Sequence, residues 1–255
     1  RYQTAGAIAS VMEFDAKRPT PIPDLPTLDV KGAVASDVEC PYRWTLVDND
    51  NALHVVSARL VEWHTMFAAD EVGPVGLDVE TDVALDHPNE MQDKLVGIAL
   101  SFGEDCYYGT IDYEPWRELL KSALPKLRWV GHGSKYDRSC LRGAGLHAGV
   151  VGGDSLLAAY LLGIPEAGLK RLVWNRYAYR MTTYADVVGE GRSRKPISSI
   201  DPNIVAAYCC GDAYWAQRIL PDLLGELDGG TRALYDFDLQ LVEIIGDMQA
   251  AGIDF

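Results

Sequence analysis

Three clusters of residues in this chain could do chemistry, and each is built around carboxylates. In Pro74-Val75-Gly76-Leu77-Asp78-Val79-Glu80-Thr81, two acids lie two residues apart in a short β-branched run that follows Gly73. Such a run predicts a strand. Alternation along it puts Asp78 and Glu80 on one face and Leu77 and Val79 on the other. Neighbouring carboxylates repel, and each opposes ionisation of the other unless a cation joins them. An all-oxygen ligand set suits Mg²⁺ or Mn²⁺. Alone, Asp-x-Glu is a weak signal and is commonly a solvated strand face.

The second cluster lies on a late helix. Ile204, Tyr208, Asp212, Trp215 and Ile219 recur at spacings of three and four, so they form one stripe. Its apolar members predict that the stripe faces inward. Asp212 is then a carboxylate on a buried face, costly unless compensated, with the Tyr208 phenol one turn before it. The third cluster is Gly131-His132-Gly133-Ser134-Lys135-Tyr136-Asp137, where a strand runs through a Gly-rich turn into a helix. Asp137 in the first helical turn would complement the helix dipole even with no other role. The order of Gly, Lys and Ser does not fit a phosphate loop.

Several elements must position these groups. A strand is expected near Arg43 to Val47 and a helix near Ala52 to Ala69. The acidic strand is followed by strands at Leu95 to Phe102 and Cys106 to Thr110, joined by the turn Gly103-Glu104-Asp105 in an antiparallel meander. Helix and strand then alternate: helix Pro115 to Ala123, strand Leu127 to Val130, helix Lys135 to Leu141, and a helix after Asp154. A helix at Leu169 to Tyr177 precedes the long one opened by Asp201-Pro202, an N-cap with Pro at the first position. Pro221 is expected to end or kink that helix near Leu220. The fold class is α/β, a mixed sheet flanked by helices.

At 255 residues, with 48% hydrophobic and 24% charged residues, the chain can bury a sizeable core. No apolar run is long enough for a membrane span, and no signal segment opens the chain. The start at Arg1 fits a fragment or a processed product. A net charge of −14 argues against a broad grip on duplex nucleic acid. It leaves room for a nuclease that holds a few nucleotides, with metals rather than lysines neutralising the phosphate. Cys40, Cys106, Cys140, Cys209 and Cys210 lack zinc spacing and read as reduced thiols of a cytosol-like compartment. The scattered histidines argue against a zinc site.

Asp-x-Glu on a strand, Asp at a strand-to-helix junction and Tyr-x-x-x-Asp on a late helix together resemble the three motifs of RNase H-like 3′–5′ exonucleases with four acids and a tyrosine. The resemblance is closer to the proofreading domain of bacterial and phage family A DNA polymerases. Leu77-Asp78-Val79-Glu80-Thr81-Asp82 and Lys94-Leu95-Val96-Gly97-Ile98 are similar to its first motif and the next strand. Asp154-Ser155-Leu156-Leu157-Ala158-Ala159-Tyr160-Leu161-Leu162 is similar to the helix between its second and third motifs. The stretch Thr183 to Gly191 resembles its substrate-side loop. The match covers roughly residues 43 to 225. It implies a linker over 1–40 (rich in Pro around Arg18 to Pro26), an RNase H-like exonuclease domain over 41–225, and the start of a truncated polymerase domain over 226–255. That last part carries the amphipathic helix Leu234 to Ala251. Two departures stand out: Gly133 replaces the usual Asn, and Gly211 a common acid.

The resemblance implies two-metal hydrolysis, with two Mg²⁺ or Mn²⁺ ions stabilising the attacking and leaving oxygens. Asp78 would bridge the ions, Glu80 and Asp212 would complete the first, and Asp137 would support the second. Tyr208 would orient the attacking water, a task shared with Glu80. Tyr184 is a candidate to stack on a terminal base, Thr81 and Leu85 to line the base pocket, and Gly133 lies where the substrate end is held. Arg192, Arg194 and Lys195 are either phosphate contacts or a solvated basic loop. The implied partners are a single-stranded or frayed DNA 3′ end and a polymerase domain in the same chain, in the cytoplasm of a bacterial or phage-infected cell. An RNA-trimming exonuclease of the same superfamily and a non-catalytic binding module remain the alternatives.

Overall fold

A computed structural model describes residues 40–69, 72–82 and 93–252. The expected linker, and the base-pocket candidate Leu85 with its neighbour Ala84, lie outside these residues. The described part belongs to one compact unit. Its centre is a sheet of six strands: β1 (Arg43–Leu46), β2 (Val75–Asp82), β3 (Lys94–Phe102), β4 (Asp105–Thr110), β5 (Arg128–Gly131) and β6 (Val150–Asp154), in the order β1-β4-β3-β2-β5-β6. β2, β3 and β4 form the antiparallel meander, while β1 joins β4, β5 joins β2 and β6 joins β5 in parallel. The sheet is mixed, as the sequence pattern requires.

Eight helices are described: α1 (Asp50–Ala68), α2 (Glu114–Ala123), α3 (Ser134–Gly143), α4 (Ser155–Leu161), α5 (Leu169–Tyr177), α6 (Tyr184–Val188), α7 (Pro202–Glu226) and α8 (Gly229–Ala251). Asn49 caps α1 by accepting from the Ala52 amide, and Asp201 caps α7 by accepting from Asn203. One core packs Val56, Leu60 and Trp63 of α1 and Trp116 and Leu120 of α2 against Leu77, Val79, Ile98 and Leu100. The other lies under α7, where Cys209, Cys210, Ala213 and Trp215 pack with Ala99, Tyr108 and Val130. Leu77 and Val79 therefore feed one core, and the acids of β2 point toward α7.

The structure adds one element and corrects several expectations. β6 is not anticipated, because Gly152 and Gly153 weaken the strand pattern of Val150-Val151-Gly152-Gly153-Asp154. Gly153 has a packing reason: a Cβ there would come 2.3 Å from Leu220. The segment opened by Tyr184 is a short helix rather than a loop, since Thr183 and Asp186 form a reciprocal capping box. Helix α7 continues through Pro221 to Glu226. Pro221 is exposed, so the carbonyl it leaves free can meet water, while Leu220 and Leu223 are buried and hold the helix down. Ile204 is 51% exposed and drops out of the inward stripe, which begins one turn later at Tyr208. Finally, α8 starts at Gly229, ahead of the expected Leu234, because Asp228 caps it through Thr231.

Candidate active site

The site forms where the sheet splits. β2 and β5 are paired only at Val75 with Trp129 and Gly76 with Val130. Beyond that point β5 turns into α3, and the carboxyl-terminal half of β2 faces a cleft. Openings beyond the carboxyl ends of parallel strands are the usual ligand sites of α/β sheets. The cavity measures about 930 Å³, and Asp78, Glu80, Asp137, Tyr208 and Asp212 all line it. Three elements far apart in sequence thus deliver four acids and the tyrosine to one place.

Gly76 permits the first approach. A Cβ on it would lie 2.4 Å from the Ala213 carbonyl oxygen, so α7 rests directly on the backbone of β2. That contact puts Asp212 beside Asp78. Cys209, three residues earlier on α7, donates its thiol to the Asp78 carboxylate at 3.2 Å. The Asp78, Glu80 and Cys209 ligand atoms lie within 4.8 Å of one another. Burial holds the Cys209 thiol protonated, so it acts as a donor to Asp78 and not as a thiolate ligand.

Asp137 arrives from the other side. Gly133, at φ 89°, occupies the left-handed region and turns β5 into α3. It brings no capping side chain, and Asp154 supplies one from β6: its carboxylate accepts from the Gly133 and Ser134 amides at 3.1 and 2.7 Å. The same carboxylate accepts from Leu156 and Leu157 at the start of α4. Two helix starts therefore share one anion.

The electrostatics of the cleft floor are unbalanced. Glu80, Asp137 and Asp212 are 6%, 5% and 8% exposed, and Asp78 is partly open to the cleft. Desolvation, then the Asp212 charge, pushes Asp78 up to about 8. Desolvation and then Asp78 raise Glu80 and Asp137 well above the carboxylate range, and desolvation raises Asp212 despite its cationic neighbour Lys170. Asp212 Oδ1 is buried without a hydrogen-bond partner. Buried carboxylates so poorly compensated fit hard divalent cations.

Other predicted residues fall around this floor. Thr81 is buried, lines the cavity and shares a 2.7 Å hydrogen bond with the Tyr136 hydroxyl. The pairing of β2 with β3 shifts between Glu80 and Thr81, an irregularity that residue alternation does not reveal. Tyr184 lines the cavity 6.4 Å from the Tyr208 ring, with the Arg194 guanidinium 5.3 Å from its own ring centre. Gly133 also lines it, and a Cβ there would make only ordinary contact with Leu156. Gly211 faces away from the cleft floor toward Tyr42, where a Cβ would come 2.6 Å from the hydroxyl. The residue type at this departure follows the packing of Tyr42.

Sequence reasoning missed three residues. Lys170 on α5 is ion-paired with Asp212. His132 shares a 2.9 Å hydrogen bond with Ser155 and is driven down to about 4 by burial, so it is neutral. Asp154 reads in the sequence only as the start of a helix. A lysine at the second position of an ordinary helix carries no signal for the first. Helix α8 also contributes: Asp238, Leu241, Val242 and Ile245 form a wall of the cavity.

An RNase H-like α/β sheet with carboxylates and a tyrosine converging on a cleft defines a domain of the exonuclease superfamily that carries four acidic residues. The chain belongs to the 3′–5′ exonuclease family, whose model matches residues 56–228. It is 28% identical over 178 residues to DNA polymerase I of Chloroflexus aurantiacus, a match that takes in 62% of this chain and 18% of that protein. The chain therefore spans less than a fifth of that relative. Solved structures that share the fold include the following two. The Pol1 polymerase of M. smegmatis has a TM-score of 0.59 at 17% identity, covering 83% of this chain and 32% of that one. Escherichia coli RNase D, an exoribonuclease involved in structured RNA processing, has a TM-score of 0.56 at 15% identity, covering 81% and 51%. Among the described residues no helix is long and apolar enough to cross a membrane, and all five cysteines are free thiols.

Proposed function

We propose that this chain is the proofreading exonuclease domain of a family A DNA polymerase, removing nucleotides from single-stranded or frayed DNA 3′ ends as 5′-mononucleotides. The observation that carries the reading is the convergence of Asp78, Glu80, Asp137, Asp212 and Tyr208 on one cleft floor. Mg²⁺ or Mn²⁺, two ions by family resemblance, supplies the activated water and the charge neutralisation at the scissile phosphate when bound. Asp78, Glu80 and Asp212 would hold the metal, with Asp137 supporting the second ion from α3. The Tyr208 phenol, raised by burial and then by Asp212, stays protonated and orients the attacking water.

The rest of the cleft serves the strand. Tyr184 offers a face for a terminal base, a contact that tolerates any base and is worth about 1–3 kcal/mol. Thr81 and Gly133 border the place for the terminal nucleotide. The 28% identity to a DNA polymerase I supports DNA as substrate, a polymerase domain as the covalent partner, and a cytoplasmic setting. The test is digestion of 3′-labelled DNA and RNA oligonucleotides with and without chelator. Metal-dependent release of 5′-mononucleotides from DNA is expected. Faster loss of RNA would replace this reading with RNA trimming, closer to the work of RNase D. Cleavage that survives chelator would overturn the metal assignment.

A further inference from the structure

Lys170 stands in the place of a cation. It is the second residue of α5, and its ammonium is hydrogen-bonded and ion-paired to Asp212 Oδ2. The same ammonium is 3.4 Å from the Tyr208 hydroxyl and 4.6 Å from the centre of the Tyr208 ring. Of the four acids of the cleft, the one it is paired with is Asp212. The other oxygen of Asp212 is buried and has no hydrogen-bond partner. One half of this carboxylate is thus neutralised by the protein, and the other half is left for something else.

We propose that Lys170 is a displaceable counter-ion that holds Asp212 and Tyr208 in place in the metal-free protein and competes with the metal for Asp212. The inference rests on the reading of Asp212 as a metal ligand. Two features make displacement feasible. The Lys170 side chain is 30% exposed, whereas that of Asp212 is 10% exposed, so the ammonium has a path to water and the carboxylate does not. A lysine ammonium is also a single point charge on a flexible stem, without the fixed two-pronged grip of a guanidinium. Removing one partner of a buried pair leaves the other uncompensated, so the site in its metal-free form is held together by Lys170. A dication held at the free oxygen of Asp212 would repel the ammonium on the other oxygen and favour its release toward water. Lys170 is on this account a positioning residue, outside the reacting atoms.

The experiment is a Mn²⁺ titration by calorimetry, paired with thermal melts with and without Mn²⁺, on the whole chain and on Lys170→Met and Lys170→Arg. Lys170→Met keeps the stem and removes the charge. It should lower the metal-free melting temperature and bind Mn²⁺ at least about fivefold more tightly, the low end of usual coupling between two sites. Lys170→Arg keeps the charge and should bind Mn²⁺ no more tightly than the parent. In an Asp212→Asn background, where the carboxylate that Lys170 would compete for is gone, Lys170→Met should change affinity by less than about twofold. Equal or weaker Mn²⁺ binding by Lys170→Met overturns the competition. So does a tightening that persists in Asp212→Asn, because it would then be a long-range charge effect. If the parent chain binds no Mn²⁺ at all, the nuclease reading and this inference both fall; if it binds and the variants do not differ, only this inference does.

Discussion

Asp154 and Ser134, twenty residues apart, are joined by a 2.7 Å hydrogen bond in which the Ser134 amide donates to the Asp154 carboxylate. The bond fixes the first turn of α3 to the end of β6, and Asp137 rides on that turn. Asp154→Ala should therefore cost stability and misplace Asp137 at once. Two helix starts lose their cap, about 1–4 kcal/mol in all. Urea unfolding measures the first effect and cleavage at saturating substrate the second. A stable variant with parental kcat would show that α3 needs no such anchor.

The close approach of β2 and α7 gives a second test. Gly76→Val places a branched side chain where the Ala213 carbonyl now sits. Overpacking of this kind costs about 1–3 kcal/mol, and the displacement would separate Asp212 from Asp78. Cleavage should fall well before the fold is lost, with circular dichroism reporting the latter. Unchanged activity would mean that the Asp78–Asp212 spacing is not critical.

Metal dependence should itself depend on pH. Asp78 is raised to about 8, and Glu80, Asp137 and Asp212 are shifted in the same direction. Between about pH 4, the ordinary carboxyl value, and pH 8, the folded metal-free protein binds more protons than the unfolded chain. The contribution of these groups to stability is thus full at low pH and is lost as pH rises through that window. Metal needs the ionised carboxylates, so the increase in melting temperature on adding Mg²⁺ should grow from pH 5.5 to pH 8.5. His132, driven down to about 4 by burial from an ordinary value of about 6.5, adds stability as pH rises between those values, equally with and without metal, so it drops out of the difference. An increase independent of pH would contradict the assignment of these acids as ligands.

Removal of individual groups separates their roles. Asp78→Ala and Asp212→Ala should abolish cleavage. Tyr208→Phe should lower kcat by roughly 10²–10⁴-fold, the range of orienting and acid–base groups, with Mn²⁺ affinity nearly unchanged. Parental kcat in Tyr208→Phe would remove that residue from the mechanism.

A proofreading domain should digest a mismatched primer end faster than a matched one, because a mismatch has already supplied the cost of fraying. Gly133→Asn should lower KM more than it raises kcat. The position has room for a Cβ, and Asn is among the residues most often found with positive φ, so the strain of φ 89° there should cost some stability without closing the cleft. Equal rates on matched and mismatched ends, at low substrate concentration, would point to a general end-trimming nuclease.

The groups that sequence spacing made legible are those on regular elements. Asp78 and Glu80 follow strand alternation, and Tyr208, Asp212, Trp215 and Ile219 follow helical period, so their common face could be drawn without coordinates. Ile204 shares that period and is nonetheless exposed, since periodicity names a stripe but not where its cover ends. The strand β6 was hidden by its two glycines. Lys170 and Asp154 were not legible because they act across the fold, 42 and 20 residues from the groups they hold. Pro221 does not end α7, because a proline stops a helix only where its neighbours do not hold it.

Helix α8 lies beyond the residues 56–228 matched by the family model, yet it is stitched into the domain. Its Tyr235 hydroxyl accepts from the Asp154 amide at 2.8 Å, and Asp247 is paired with Arg138 and Arg142 of α3. Leu241 and Ile245 wall the cleft. A domain trimmed at the family's own boundary would lose the brace behind Asp154 and one wall of its cleft. Homology borders mark where a sequence is shared; the mechanical border of this nuclease runs a full helix further.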